Sequence, residues 1–172
     1  KERDGDSVTL AVTTNAEVSA FTVVDGGKYD KNSSDGIWLS DKYASENKID
    51  IGDTLTLVYK NIEIKGKVIG LIKSGEKLVC VRDETQLMPD YKTYGFAYIS
   101  PKAYENAVGT DYYPQINALS DKDKKDFTDL ADKALGKTVL IVSKSESSSY
   151  SAANGEIEEG KTMGSVMPVL FL

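Results

Sequence analysis

Histidine is absent from the 172 residues. Without it no Ser-His-Asp or Cys-His arrangement can be assembled, and the usual zinc ligand sets are missing. Cysteine occurs once, as Cys80 in the apolar stretch KLVCVR. A lone thiol forms no internal disulfide, and these flanks mark it as a small buried hydrophobe. Cysteine poverty suits the cytosol, but it also suits an extracytoplasmic protein that avoids disulfides, so it decides no compartment. The charge does not favour phosphate either: it is formally -6, whereas phosphate neutralisation needs clustered Lys and Arg. Lys122, Lys124 and Lys125 alternate with Asp121, Asp123 and Asp126, the pattern of a solvated helix face. Nucleic acid is not an expected partner.

Other absences narrow the chemistry further. The phosphate-cradling pattern G-x-x-x-x-G-K-[ST] does not occur, so the chain is not expected to hydrolyse ATP itself. S-x-x-K occurs at Ser45–Lys48 and Ser74–Lys77, but no S-D-N follows and neither KTV nor KTM supplies K-T-G. An acylating serine therefore lacks its company. Asp25, Asp30 and Asp35 miss the calcium-loop spacing, and the Gly, Asn and Ser around them read as turn chemistry. No catalytic residue, cofactor or metal site is expected.

Long apolar runs are also scarce. KERDGDSVTL has no apolar core of a signal peptide and begins at Lys1 rather than Met, so we read the chain as a fragment. The exception is the end: Val166, Met167, Pro168, Val169, Leu170, Phe171 and Leu172 carry no charge. A spanning helix needs about 20 apolar residues, and these seven read as the first turns of one that continues. The alternative is a C-terminal strand packed into the core.

What remains is an ordinary globular composition, 40% apolar and 28% charged with 14 glycines, enough for one domain with long loops. SVTLAVTT alternates Val8, Leu10 and Val12 with polar residues, the period of a half-buried strand. VSAFTVVD is a second strand-like segment, and Gly26 to Gly36 a loop. GIWLS reads as a short strand, followed by a helix over DKYASEN with Ser40 as its cap. Thr54–Tyr59 and Ile62–Ile72 are separated by Lys60 and Asn61, which predicts a β-hairpin. Gly66 and Gly70 share the parity of Ile62, Ile64 and Val68, suggesting a bend or a close backbone approach on one face.

KLVCVR and FAYIS read as further strands joined by the long connection DETQLMPDYKTYG. Ser100 and Pro101 announce a helix. Ser120, with Asp123 three residues on, is read as the cap of another, whose Phe127, Leu130, Ala131, Ala134 and Leu135 recur at helical spacing before Gly136. KTVLIVSK reads as a strand and SKSESSSYSAANGE as a linker. The whole predicts an α+β fold: a mixed or antiparallel sheet with hairpins and several short helices. Six of the ten tyrosines lie within 23 residues, at 91, 94, 98, 104, 112 and 113. Tyrosine combines an apolar body with a wet hydroxyl, which suits domain edges and partner surfaces alike. Tyr91, Tyr94, Tyr112 and Tyr113 are the candidates for a partner or ligand surface.

Three segments carry a resemblance: GIWLSDKYASENKIDIGDTLTLVY, KVIGLIK and YGFAYISPKAYE. Together they resemble the extracytoplasmic domain of MacB/FtsX-like ABC transporter permeases. There a segment of the form G(V/I)xLSxKxAxxxxxxxGDTLxL precedes a hairpin, and a later strand runs into (Y/V)(I/M)SPxxYE. Gly36 to Leu57, Lys67 to Lys73 and Tyr98 to Glu105 are the matching positions. EIEEGKTMGSVMPVLFL is similar to the junction where such a domain re-enters the membrane.

The resemblance implies a MacB-like core domain over 1–165, divisible into a core over 1–105 and a second lobe over 106–150, with a spanning helix starting at 166–172. It implies no chemistry in this chain. The domain would sit on the extracellular side of the cell membrane, held there by flanking helices. Its partners would be an ATP-binding cassette subunit, a second permease copy and an extracytoplasmic protein, and its work export or signalling. The short, loop-rich chain departs from the Gram-negative pattern and points to an exporter of Gram-positive type. The reading from a different class is a freestanding secreted binding module, an adhesin or a solute-binding lobe.

Overall fold

Gly36–Ser40 is buried at every position, so both faces of this five-residue strand must be covered, and an alternating pattern is neither present nor needed. It lies inside a six-stranded mixed sheet. The computed structural model describes residues 6–13, 18–77, 80–82, 86, 88–110, 113, 116–146 and 155. In chain order the elements are β1 (Ser7–Val12), β2 (Phe21–Gly26), β3 (Gly36–Ser40), α1 (Asp41–Asn47), β4 (Thr54–Tyr59), β5 (Ile62–Ser74), β6 (Tyr94–Ile99), α2 (Pro101–Val108) and α3 (Lys124–Leu135). The predicted α+β class, with a mixed sheet and short helices, is what forms. The chain divides into two units, Lys1–Ala118 and Leu119–Leu172.

In the first unit the strand order is β1-β6-β3-β5-β2, with β4 pairing the first half of β5. β1 runs parallel to β6, and β3 parallel to β5, while β3 and β6 are antiparallel. Ile37, Leu39, Ala97 and Ile99 point to the face covered by α1 and α2, where Tyr43, Ala44 and Ala103 join them. Trp38, Phe96 and Tyr98 point to the other face, with Ile72 and Cys80. Val8, Leu10 and Val12 pack on the helix-covered face, as their alternation predicts.

The predicted hairpin forms, and its long strand holds a feature that parity conceals. Ile37 pairs with Val68 but Trp38 pairs with Gly70, so Ile69 is an extra residue in β5. Such a bulge exchanges the faces of everything beyond it. Ile64 and Val68 therefore join the helix-side core, whereas Ile72, of the same parity, joins the opposite one. Both glycines are sites of close approach, but on two faces rather than one. A Cβ on Gly66 would lie 2.8 Å from Ile37 Cγ1, and one on Gly70 would lie 2.9 Å from Trp38 Cδ1.

Two caps differ from expectation. Ser40 precedes α1 but makes no side-chain cap; its hydroxyl accepts from the Phe96 amide at 3.2 Å, tying β3 to β6 instead. α3 is capped by Asp123, which accepts from the Asp126 amide at 2.9 Å, while Ser120 accepts from Lys122 in the turn before. A carboxylate three residues nearer the helix is both the better placed acceptor and favourable to the helix dipole. Ser100 does cap α2, accepting from the Ala103 amide at 2.9 Å with Pro101 in the first turn, and its hydroxyl also donates to the Ser33 carbonyl.

Two predicted strands are not found among the described residues. Residues 80–82 pair with no strand, although Cys80 is buried as expected. In the second unit 137–143 joins no ladder, with Leu140 91% exposed. High β-propensity makes a strand only where a neighbour offers an open edge. Here the Val139 amide is held by the Asp132 carboxylate, 2.9 Å away on α3, and Gly136 ends that helix in the left-handed conformation at φ 64°. The apolar tail 166–172 and most of the Ser-rich segment lie outside the described residues.

Candidate functional site

The tyrosine-rich stretch does not fold into one surface. Tyr91 and Tyr94 pack at the edge of the Trp38 cluster, and the Tyr94 hydroxyl is hydrogen-bonded to that of Thr9. Tyr98 is buried, donating to the Ser19 carbonyl at 3.0 Å. Tyr104 and Tyr113 belong to the helix side, stacked with ring centroids 5.0 Å apart and planes 22° from parallel. The Tyr113 hydroxyl donates to Glu105 at 3.5 Å. Tyr112 lies outside the described residues. The sheet thus separates Tyr91 and Tyr94 from Tyr113, because the chain between them crosses it as β6 and turns into α2.

The aromatic side chains that do converge are a core. Tyr29 meets Trp38 edge-on with centroids 4.7 Å apart, and Phe21 lies 5.4 Å from Tyr29 and 4.5 Å from Tyr98. Their polar handles are used: Trp38 Nε1 donates to the Gly27 carbonyl at 2.9 Å, and the Tyr29 hydroxyl reaches the carbonyls of Thr13 and Ile99. Buried aromatic residues with satisfied handles rigidify the fold and leave no donor for a ligand. Among the described residues no buried side-chain nitrogen or oxygen is left unpaired.

Burial, with the Asp30 charge adding to it, pushes the Tyr29 hydroxyl up to about 12. Burial also raises Tyr98, against the hydrogen bond from Ser74. The unfolded chain would then release these protons at lower pH than the folded one. Stability is fully present below pH 10, the ordinary tyrosine value, and falls as pH climbs toward 12. Urea titrations across that window should show a declining midpoint, and Tyr29→Phe should flatten much of the decline. An equal slope in Tyr29→Phe would refute the assignment.

The acidic loop residues act as turn formers. Asp25 accepts from the Gly26 amide and Asp30 from the Asn32 amide, at 2.8 and 2.9 Å. Of the two S-x-x-K serines, Ser74 is buried with its hydroxyl donating to the Ala20 carbonyl at 3.1 Å, and Ser45 is on the exposed side of α1. In the second unit Lys124 grips Glu146 at 2.7 Å, and these hydrogen bonds hold that carboxyl down to about 2.

Two surface features remain, both at one end of the sheet. The first is a groove of about 230 Å³ between α2 and the first half of β5, floored by Ile37, Ile64, Ala103 and Ala107 and edged by Glu63 and Lys65. Its volume is below the range of about 300–1,000 Å³ usual for small-molecule sites; it has room for a side chain. The second is the tip of the hairpin, where Val58 is 64% and Tyr59 68% exposed. Neither is a candidate on composition. The signal was the hairpin turn itself: placing Lys60 and Asn61 at the turn puts Tyr59 at the end and Val58 on the side opposite Leu57. No family model, curated protein or solved structure matches the chain.

Proposed function

We propose that this chain is the extracytoplasmic domain of a MacB/FtsX-like ABC transporter permease, with a MacB-like core, acting mechanically and through partners rather than by chemistry of its own. One observation carries the reading. The three sequence segments behind the resemblance are separated by residues 60–66 and 74–93, and they meet in the fold: Ile37 pairs with Val68, Leu39 with Leu71, and Ile37 with Ile99. They form β3, α1, β4, about half of β5 and the β6–α2 corner, which pack together within the first unit. Motif residues that assemble into one packed unit are more telling than the same residues scattered.

On this reading the domain lies outside the cell membrane between two spanning helices. It transmits ATP-driven movement from a cassette subunit, in a complex with a second permease copy, to export or to an extracytoplasmic protein. The test uses the full-length gene product in its own cells. Lys65 is exposed and Cys80 is buried, so Lys65→Cys adds an exposed thiol to this domain, and its labelling is read against the parent protein. It should react with a membrane-impermeant maleimide in intact cells, the gene should encode apolar spanning segments on both sides of this region, and an ATP-binding subunit should copurify. Reaction only after lysis, or release of the protein into the medium as a free module, would overturn the reading.

A further inference from the structure

We propose that the free end of the β4–β5 hairpin is a docking surface for an acidic protein partner, with Val58 and Tyr59 as its apolar contacts and Lys60, Lys65 and Lys67 as its charges. The tip stands beyond the other strands. Val12, Ile99, Ile37 and Val68 form a row across the sheet where β1 and β6 finish. Lys67 still pairs with Gly36 of β3, and from Gly66 out to Ile62 the only strand paired with β5 is β4. At about 3.3 Å per residue, its five outermost residues carry the tip about 16 Å past the sheet. Ser7, where β1 begins, is paired with Tyr94 at the opposite end. The direction of the tip, away from the membrane, rests on the permease reading; the surface itself does not.

The tip displays apolar side chains on both of its faces. Val58 and Tyr59 are each about two-thirds exposed; Val58 shares the face of Glu63, Lys65 and Lys67, and Tyr59 that of Leu55, Leu57 and Ile62, so a partner would grasp the tip from both sides. Lys60 takes a left-handed φ of 54° in the two-residue turn, where Gly or Asn is the usual occupant. A bulky residue in that conformation is strained, and here it sets its ammonium 5.3 Å from the centre of the Tyr59 ring. The result is a tyrosine held beside a cation, a pairing suited to an interface.

Charge on the tip is of one dominant sign. Thr54, Thr56 and Val58 of β4 pair with Lys67, Lys65 and Glu63 of β5 on the outer face. Between Thr54 and Lys67 there are three lysines against one glutamate, in a chain whose formal charge is -6. Among the described residues none of these lysines is engaged in an ion pair. A basic patch on an acidic protein selects and steers an acidic partner. On the Tyr59 side, the groove floored by Ile64, Ala103 and Ala107 adjoins the same strand, giving a concave seat for one apolar side chain. Such a seat fits a protein surface better than a bilayer.

The test titrates the full chain, labelled with nitrogen-15, with a synthetic peptide of alternating glutamate and phenylalanine. Amide shifts should concentrate between Thr54 and Lys67 and at Ala103 and Ala107, and should weaken as salt is added. Val58→Ser with Tyr59→Ser should lower affinity by about tenfold, the loss of one interface hot spot. Lys65→Glu with Lys67→Glu should abolish detectable binding. Because these side chains are exposed, melting temperatures should stay near that of the parent, which separates lost binding from lost folding. Shifts elsewhere, no shifts, or equal binding of a lysine–phenylalanine peptide would overturn the proposal, as would binding only to phosphatidylglycerol vesicles. None of these outcomes depends on what flanks the domain in its gene, so this proposal and the permease reading fail separately.

Discussion

Trp38→Ala should cost the sheet domain about 3–5 kcal/mol. The indole is fully buried on a strand that has neighbours on both edges. Truncation would empty a volume bounded by Tyr29, Ile72 and Tyr98, and would strip the Gly27 carbonyl of its donor. The cavity is the main loss, since Gly27 is exposed and water can replace the missing donor. With total stability of the order of 5–15 kcal/mol, much of the margin would vanish. Trp38 is also the single tryptophan, so unfolding is best followed by circular dichroism in urea. Trp38→Phe keeps most of the packing and should lose clearly less. A loss below 1 kcal/mol in Trp38→Ala would contradict the packed-core account.

Gly66→Val should be nearly as damaging, at about 3 kcal/mol. Here propensity and tertiary structure disagree in sign. Gly66 sits mid-strand in β5, and by β-propensity alone valine should improve it. Yet a Cβ there would lie 2.4 Å from the Asp35 carbonyl oxygen and 2.8 Å from Ile37 Cγ1. The nearer atom is backbone and cannot rotate away, and the same carbonyl receives the Lys67 amide at 2.8 Å. Relieving the collision would move the loop that enters β3. Gly75→Ala is the control, since nothing lies within 4 Å of a Cβ there. Thermal melts should show it within about 0.5 kcal/mol of the parent. A Gly66→Val variant as stable as the parent would mean that this loop yields freely.

Much of what is decided within a few residues was legible in the sequence, although the α3 cap is Asp123 rather than Ser120. Alternation in Ser7–Val12 and the Lys60–Asn61 turn gave a strand and a hairpin, and Ser100-Pro101 gave a helix start, because period and capping are local geometry. So was the chemical poverty: without histidine, several catalytic arrangements are excluded before any coordinate is known.

Tertiary structure decided what depends on partners distant in the chain. Ser40 looks like a cap, but the Phe96 amide, 56 residues on, claims its hydroxyl. Ile72 shares the parity of Val68 yet enters the opposite core, because a bulge at Ile69 exists only in register with β3. Residues 137–143 have the side chains of a strand but join no ladder, and the Val139 amide goes to the Asp132 carboxylate instead. The clustered tyrosines are near in sequence but fall on two sides of a sheet. Period, caps and composition are properties of the chain taken alone. Register, face and exposure belong to pairs of segments, and they come into being only when those segments meet.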